Sequence, residues 1–246
     1  MTQKEINYLG SLLHDIGKFK WRAQERKSGE DHETLGTFFI REYLGKFQPL
    51  KVQIEELIKA ANRVTGKIWK ADIIAAQERE QQKYGDPRRP LISIFQRLSV
   101  KEGIDPPDTI YYYNPQRVNI DLEFPINSNQ NIHNFTYDKN DIIKQHEILW
   151  KDFIKEIENI KQVIKDYESF FETFYSLLEK YTSYVLSAGY KSYPDIPLFD
   201  HSRVVSALSV CYDEGDDDNE CILIEGDISG IQDYIYQNIY QTNKVA

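Results

Sequence analysis

Cysteine is scarce in this sequence, and long apolar runs are missing from it. The 246 residues include two cysteines, Cys211 and Cys221, neither of which has a cysteine or histidine close by. This spacing disfavours both a thiolate zinc site and a disulfide framework, and it fits a reducing compartment. No apolar run approaches the ~20 residues that cross a bilayer, and no signal-peptide core follows the polar N-terminus. We therefore predict a cytoplasmic protein with no membrane partner.

Positive charge is also in deficit, since the formal net charge is -9 and the pI is about 5.2. Global charge therefore cannot attract nucleic acid, and any such contact needs a local basic patch. One patch comprises Lys18, Lys20, Arg22, Arg26 and Lys27, with Phe19 and Trp21 interleaved. It is either a solvated helix face or a contact for a nucleic-acid strand through Lys20, Trp21 and Arg22.

Apolar spacing predicts four helices in the first third of the chain. The first covers residues 6–19, the second runs from about 31 to 44, the third opens at Pro49 and the fourth begins after Gly66. Each carries apolar residues three and four positions apart, and in the fourth these include Ile73. A turn at 85–87 ends the block. Four such helices can pack as a bundle around a shared interior.

The rest of the chain changes character twice. Prolines and the run Tyr111-Tyr112-Tyr113 indicate irregular or short β structure at 103–134. From 153 to 185, apolar residues recur by threes and fours, which predicts a core-facing helical stripe split near Asp166. A helix from about 200 to 211, an acidic loop, a strand at 221–225 and a helix from about 229 to 240 follow. One strand cannot complete a sheet, so we expect a truncated unit or one that needs another chain.

Four side chains in the first 72 residues are candidate metal ligands: His14, Asp15, His32 and Asp72. Adjacent residues diverge by about 100° around a helix, so His14 and Asp15 could share a metal only at a tightly packed helix junction. Imidazole with carboxylate suits a divalent transition metal, which lowers the pKa of bound water and polarises a phosphoryl oxygen. Lys18 could hold a phosphate, or it could be a surface lysine. A chance pairing, with an ordinary hydrogen-bonded histidine, is the simpler alternative.

Three strings resemble a known family. His14-Asp15-Ile16-Gly17-Lys18 resembles the signature of the HD phosphohydrolase superfamily. The strings at 195–203 (DIPLFDHSR) and 226–232 (GDISGIQ) resemble the large subunit of type III CRISPR effector complexes, of the III-A kind. The last string is the most specific, because seven residues match in order between a predicted strand and a predicted helix. The three strings lie in the family's order and cover the chain from end to end.

The resemblance implies a mainly α fold in three parts. Residues 1–100 would form an HD-type helical bundle, the phosphohydrolase or nuclease domain. Residues 101–190 would form a connector and a helical region that leads onward. Residues 191–246 would begin the first of the family's two polymerase-like palm domains, an α+β, ferredoxin-like unit that is incomplete here.

The resemblance also implies metal-dependent cleavage of single-stranded DNA inside an RNA-guided antiviral complex. The implied partners are single-stranded DNA, a guide RNA and a target RNA reached through the complex, and other CRISPR effector subunits. The implied metal is manganese, nickel or cobalt. By motif match, His14, Asp15, His32 and Asp72 would be metal ligands, and His14, Asp15 and Lys18 would be catalytic.

The palm motif implies a second, nucleotide-binding site. In the full-length family protein the palm pair makes cyclic oligoadenylates from ATP, with magnesium. Asp227, Ser229 and Gly230 match the first-palm motif and would border that site, because a turn at a helix N-terminus offers free N–H groups to phosphate. The alternative is that this turn only packs the palm sheet. The second palm's Gly-Gly-Asp-Asp motif has no match here, so this chain alone should not make cyclic oligoadenylates.

One departure from the family pattern bears on activity. Many members carry histidine in the helix before the Ala71-Asp72 segment, where this chain has Asn62, a poor ligand for a transition metal. The second pairing of acid and imidazole, Asp200-His201, is given no metal role: Asp200 is interpreted as a helix cap and His201 as structural.

Because of Asn62, two alternatives to an active nuclease stay open. They are a degenerate assembly module of a CRISPR complex and an HD phosphohydrolase acting on a small nucleotide.

Overall fold

The computed structural model describes residues 1–24, 30–51, 53–62, 66–77, 87–99, 108–119, 124–131, 134–188 and 193–211. These residues are mostly helical, as predicted. The helices are α1 (Gln3–Leu13), α2 (Ile16–Arg22), α3 (His32–Glu42), α4 (Ile54–Ala61), α5 (Gly66–Ala76), α6 (Lys139–Lys161), α7 (Tyr167–Thr182) and α8 (Leu198–Cys211). The strands are β1 (Leu91–Ile92), β2 (Thr109–Tyr113) and β3 (Ile126–Asn131), and short 3-10 turns cover Leu44–Lys46 and Ile94–Arg97.

Some predictions fall outside these ranges. The predicted strand at 221–225 and the helix after it lie outside the described residues, as do the first residues of the predicted turn at 85–87. Within the described residues, none of the helices is both long and apolar enough to span a bilayer.

The segment predicted as one helix at 6–19 is two helices. α1 begins earlier, at Gln3, because Thr2 and Glu5 form a capping box. The helical path then breaks at Asp15, whose φ of -108° and ψ of 6° leave the α region. His14 and Asp15 thus occupy a junction between α1 and α2, which is the arrangement that two adjacent metal ligands require.

Other helix boundaries follow their caps. Asp31 accepts a 2.7 Å hydrogen bond from the Thr34 amide and starts α3 close to the predicted position. Asp166 likewise accepts a 2.8 Å hydrogen bond from the Ser169 amide, which confirms the predicted split between α6 and α7. Asp200 is not a cap, because α8 already begins at Leu198.

The predicted β structure at 103–134 is confirmed as part of a small antiparallel sheet of order β1-β2-β3. Leu91 pairs with Tyr113, and Thr109 pairs with Asn131. The sheet has its own small core, formed by Ile92, Ile110 and Tyr193. It contributes none of the candidate metal ligands.

One hydrophobic core joins the N-terminal helices to α6, α7 and the start of α8. It includes Leu9, Phe19 and Phe39 from the first part of the chain, and Phe153 and Phe199 from later parts. This core is continuous across residue 100, so the predicted domain boundary there does not coincide with a break in packing. α8 packs on α1 and α5, although the sequence assigned its residues to a separate palm domain.

Close approach of α2 and α3 depends on Gly17. A Cβ atom added to Gly17 would overlap the carbonyl oxygen of His32 and lie 2.6 Å from the Gly36 amide nitrogen. A Cβ atom at Gly36 would meet only ordinary contacts of 3.6 to 3.9 Å. The glycine of the HD string therefore has a steric role, since it lets α3 bring His32 towards the α1–α2 junction.

This asymmetry gives a testable prediction. Gly17→Ala should lower the free energy of unfolding by about 1–3 kcal/mol or more, because backbone atoms must move apart to admit the methyl group. Gly36→Ala, the matched control on the facing helix, should be neutral or gain up to about 1 kcal/mol from higher helix propensity. Urea unfolding followed by circular dichroism measures both, and equal effects would contradict the steric explanation.

Candidate metal centre

Five side chains from four parts of the fold converge beside the α1–α2 junction. His14 and Asp15 come from the junction, His32 from the start of α3, Asp72 from α5 and His201 from α8. The His14 Nε2 atom lies 3.3 Å from Asp15 Oδ2 and 3.7 Å from Asp72 Oδ1. The His201 Nε2 atom lies 3.6 Å from Asp15 Oδ2 and 3.0 Å from Asp72 Oδ1, and His32 Nε2 lies 3.8 Å from Asp15 Oδ1. The structure thus brings together all four residues selected from the sequence.

His201 is the member that sequence reasoning missed. It was interpreted as structural, yet its side chain is 1% exposed and its ring centroid lies 5.4 Å from that of His14. Ligand atoms of His14, Asp15 and His201 all lie within 4.8 Å of one another. The available signal was Asp200-His201, a second pairing of acid and imidazole. Only the packing of α8 against α1 and α5 shows where that imidazole points.

A hydrogen bond behind His14 fixes its orientation. The His14 Nδ1 atom lies 2.6 Å from the Ser11 carbonyl oxygen, which can only accept, so Nδ1 carries the proton. When the ring is neutral, the lone pair of its Nε2 faces Asp15 and Asp72, the arrangement typical of a metal-ligating histidine. The Ser11 hydroxyl also makes a buried 2.7 Å hydrogen bond to that of Ser209, which ties α1 to α8.

The electrostatic field of the cluster favours a cation. Burial lowers the pKa of His14, but the nearby Asp15 and Asp72 carboxylates outweigh it and raise that pKa to about 9. Burial raises the pKa of Asp72, but the nearby imidazoles of His14 and His201 outweigh it and hold that pKa well below its ordinary value. The same carboxylates that stabilise an imidazolium would stabilise a metal ion in its place.

The donor set fits a divalent transition metal. Imidazole nitrogens and carboxylate oxygens are mixed in one buried cluster, and no cysteine takes part among the described residues. Among those residues, the buried His14 Nε2 atom makes no hydrogen bond of good geometry, although it faces two carboxylates. A metal ion would use the lone pair of this nitrogen. His14, Asp15, Asp72 and His201 could hold the ion, and His32 is close enough to join them.

The centre meets solvent through three of its side chains. The His32 side chain is 30% exposed, that of Lys18 15% and that of Asp72 11%, whereas those of His14 and Asp15 are fully buried. The Lys18 ammonium pairs with Asp15. Lys18 therefore belongs to the site and is not an isolated surface lysine.

The predicted nucleic-acid contacts in α2 have other environments. The Lys20 ammonium lies 4.1 Å from the centroid of the Phe38 ring. Trp21 is half-buried, and the guanidinium carbon of Arg88 lies 4.5 Å from its ring centroid. Arg22 is 2% exposed, which argues against its predicted contact with a strand. Arg26 and Lys27 lie outside the described residues, as do Asp227, Ser229 and Gly230, whose nucleotide-site role stays a prediction.

Arg22 instead connects distant parts of the chain. Its Nε donates a 3.1 Å hydrogen bond to the Pro87 carbonyl, and its Nη2 donates one of 3.2 Å to the Ser187 carbonyl. Burial lowers its pKa to about 10, which leaves it charged near neutral pH, and the Asp15 charge opposes that shift. The nearby His146 is fully buried, with Nδ1 2.9 Å from the Ile142 carbonyl oxygen.

Comparison with known proteins agrees with this geometry. The family model described as "HD domain" matches residues 2–99. The CRISPR system single-strand-specific deoxyribonuclease Cas10/Csm1 (subtype III-A) of Methanocaldococcus jannaschii is 27% identical over 287 aligned positions, which cover 93% of this chain and 34% of the relative. Its counterpart in Thermococcus onnurineus is 27% identical, over 96% of this chain and 32% of the relative. This chain is a homologue of Cas10/Csm1.

The Cas10/Csm1 fold is shared as well. The crystal structure of a Csm1–Csm4 subcomplex matches 86% of this chain and 28% of the matched chain, with a TM-score of 0.52 and 22% identity. The chain spans about a third of the length of the curated relatives it matches. His201 lies beyond the segment that the HD model matches, so the HD domain alone holds only part of the cluster.

The position of His201 predicts a role in metal affinity. His201→Ala should weaken manganese binding by at least about tenfold, because even outer-shell changes cost about 10- to 100-fold. Asp200→Asn is the matched control, since this neighbouring side chain is 49% exposed and pairs with Arg203. Isothermal titration with manganese measures both, and equal affinities in the two variants would contradict a ligand role for His201.

His146 predicts part of the acid sensitivity of the fold. Burial, then the Arg22 charge, lowers its pKa to about 3 from the ordinary 6.5. Between these values the unfolded chain binds one more proton than the folded chain, so stability falls as pH falls through 6.5 towards 3. The stability of His146→Leu, measured by thermal melts, should decline less steeply than that of the wild type as the pH falls over this range. A slope identical to that of the wild type would show that His146 is protonated in the folded state.

Proposed function

We propose that this chain is the metal-dependent, single-strand-specific deoxyribonuclease portion of a type III CRISPR effector subunit. The observation that carries the proposal is the buried cluster of His14, Asp15, Asp72 and His201, in a chain homologous to Cas10/Csm1. Both curated relatives are named as single-strand-specific deoxyribonucleases. An HD domain with a mixed imidazole and carboxylate cluster suits phosphodiester hydrolysis.

The residues divide the work of the reaction. A divalent metal, when bound, supplies Lewis acidity and a nucleophilic water at neutral pH. The charge of the buried centre is set by two carboxylates and two imidazoles, those of His14, Asp15, Asp72 and His201. Lys18, at the solvent-facing side of Asp15, is placed to attract a substrate phosphate. His32, the most exposed of the three histidines, is placed to contact the substrate or to move a proton.

Asn62 does not by itself leave the centre without imidazoles. It follows α4 as its C-cap, and the cluster already contains His14, His32 and His201. The geometry therefore favours an active centre over a degenerate assembly module. The assembly role nevertheless accompanies the nuclease role in this proposal, because one of the similar solved structures is a Csm1–Csm4 subcomplex.

The remaining parts of the proposal concern the complex. Guide RNA and target RNA would be reached through other CRISPR effector subunits, and this chain would contact single-stranded DNA directly. Manganese, nickel or cobalt is the proposed metal. Asp227, Ser229 and Gly230 would border a nucleotide site only in the full-length palm context, where ATP and magnesium belong.

Cleavage of labelled single-stranded DNA tests the nuclease. The wild type should cut in manganese or nickel and should stop in EDTA. The double variant His14→Ala/Asp15→Ala should lose at least about 100-fold in rate, because both the metal and the groups that position it are removed. Circular dichroism of the variant checks that the fold survives loss of the buried Asp15.

Asp200→Asn serves again as the control, because it alters the neighbour of His201 without touching the cluster, and it should cut normally. Absence of cutting in every metal, together with tight binding of partner subunits, would favour the assembly module. Turnover of free nucleotides with single-stranded DNA untouched would favour the small-nucleotide phosphohydrolase.

A further inference from the structure

An exposed apolar shelf on α5, formed by Trp69 and Ile73, has no role in the site described so far. Trp69 is 57% exposed and Ile73, one of the apolar residues on which the fourth helix was predicted, is 41% exposed. The other two tryptophans are covered: Trp150 is buried in the main core and Trp21 is half-buried beside Arg88. Tryptophan with one face in water is typical of a surface that another molecule covers.

Helix geometry places this shelf next to Asp72. Successive residues advance by about 100°, so Trp69 lies about 60° around the axis from Asp72, and Ile73 lies about 100° around on the same side. Cβ atoms three residues apart on a helix are about 5–6 Å apart. The other side of α5 packs against α8 through Ile68, Ala71, Ala75 and Val205. Asp72 therefore stands at the boundary between the packed face and the shelf.

We propose that Trp69, supported by Ile73, stacks an unpaired nucleobase of the strand whose phosphate lies at the metal centre. This inference rests on the proposed function and adds a determinant of its specificity. A base in a duplex is paired at its edge and stacked on both faces, so it cannot lie on an indole without leaving the helix. A single strand offers free base faces, and stacking on an aromatic ring accepts any base. Trp69 thus makes the centre select single strands without selecting sequence.

The position of the shelf next to the metal centre indicates that its occupant is a nucleic-acid strand. The cluster meets solvent through His32, Lys18 and Asp72, and Trp69 is one helical turn from the last of these. A nucleic-acid strand carries both groups that this surface can bind, since its phosphates suit the Lys18 ammonium and a bound metal ion, and its bases suit the indole. A protein seated on the same indole would cover the opening next to Asp72, and would compete with the strand.

Binding measured without cleavage tests the stacking. In EDTA, fluorescence anisotropy compares a short labelled oligothymidylate with an abasic strand of the same length. The wild type should prefer the strand with bases, and Trp69→Ala should bind it about 5- to 150-fold more weakly. Trp69→Ala should show little remaining preference between the two strands, because the proposed source of that preference is stacking of the base on the indole.

Two further variants separate stacking from a general structural effect. Trp69→Phe should keep most of the affinity but lose most of the quenching of tryptophan emission that an unlabelled oligothymidylate causes. Phe124→Ala removes another exposed aromatic side chain, one that is 92% exposed in the connector, and it should bind as the wild type does.

The proposal would be overturned if Trp69→Ala bound the base-bearing strand like the wild type, or if it weakened both strands equally. It would also fail if the quenching persisted in Trp69→Phe, or if the wild type preferred a duplex. These binding results are independent of cleavage. A chain that stacks bases on Trp69 but cuts nothing would contradict the proposed nuclease alone, and one that cuts without base preference would contradict the stacking alone.

Discussion

The buried carboxylate of Asp15 is the constraint on which the site depends. A fully buried charge is costly unless cations and hydrogen-bond donors surround it. The fold supplies such groups from separate elements: Lys18 from α2, His32 from α3 and His201 from α8. Each helix that donates one must approach the α1–α2 junction closely. Neutralising one acidic group therefore fixes how distant parts of the chain pack.

That requirement explains why the cluster does not end where the HD segment ends. α8 follows the connector and α7, yet it packs on α1 and α5 and is tied to α1 by the Ser11–Ser209 hydrogen bond. Arg22 holds the Ser187 carbonyl shortly before α8, and Leu198 begins that helix with a 2.6 Å hydrogen bond to the Val185 carbonyl. A truncation before α8 would remove an imidazole as well as a helix, so the smallest complete unit extends beyond residue 200.

The sequence predicted the type of most elements and the four first candidates for the cluster, because these depend on local signals. Helical periodicity, the caps Asp31 and Asp166, and the His14-Asp15 string are all readable within a few residues. The break between α1 and α2 was recognised only as a condition for metal binding, since Asp15 leaves the helical region without a proline or glycine. Burial of Arg22, exposure of Ile73 and the role of His201 depend on which helices meet. Spacing along one helix does not contain that information.

Charge balance links this geometry to chemistry. If Lys18 and all three histidines were protonated beside Asp15 and Asp72, the centre would carry a net positive charge in a buried position. The raised pKa of His14 shows that the two carboxylates favour at least one such proton. A divalent metal would have to replace protons on the imidazoles, so its affinity should fall with acidity. Lys18 and the metal would also compete for Asp15. Weakening of the Lys18–Asp15 pair would leave an ammonium group at the mouth of the site, where a phosphate is the natural partner.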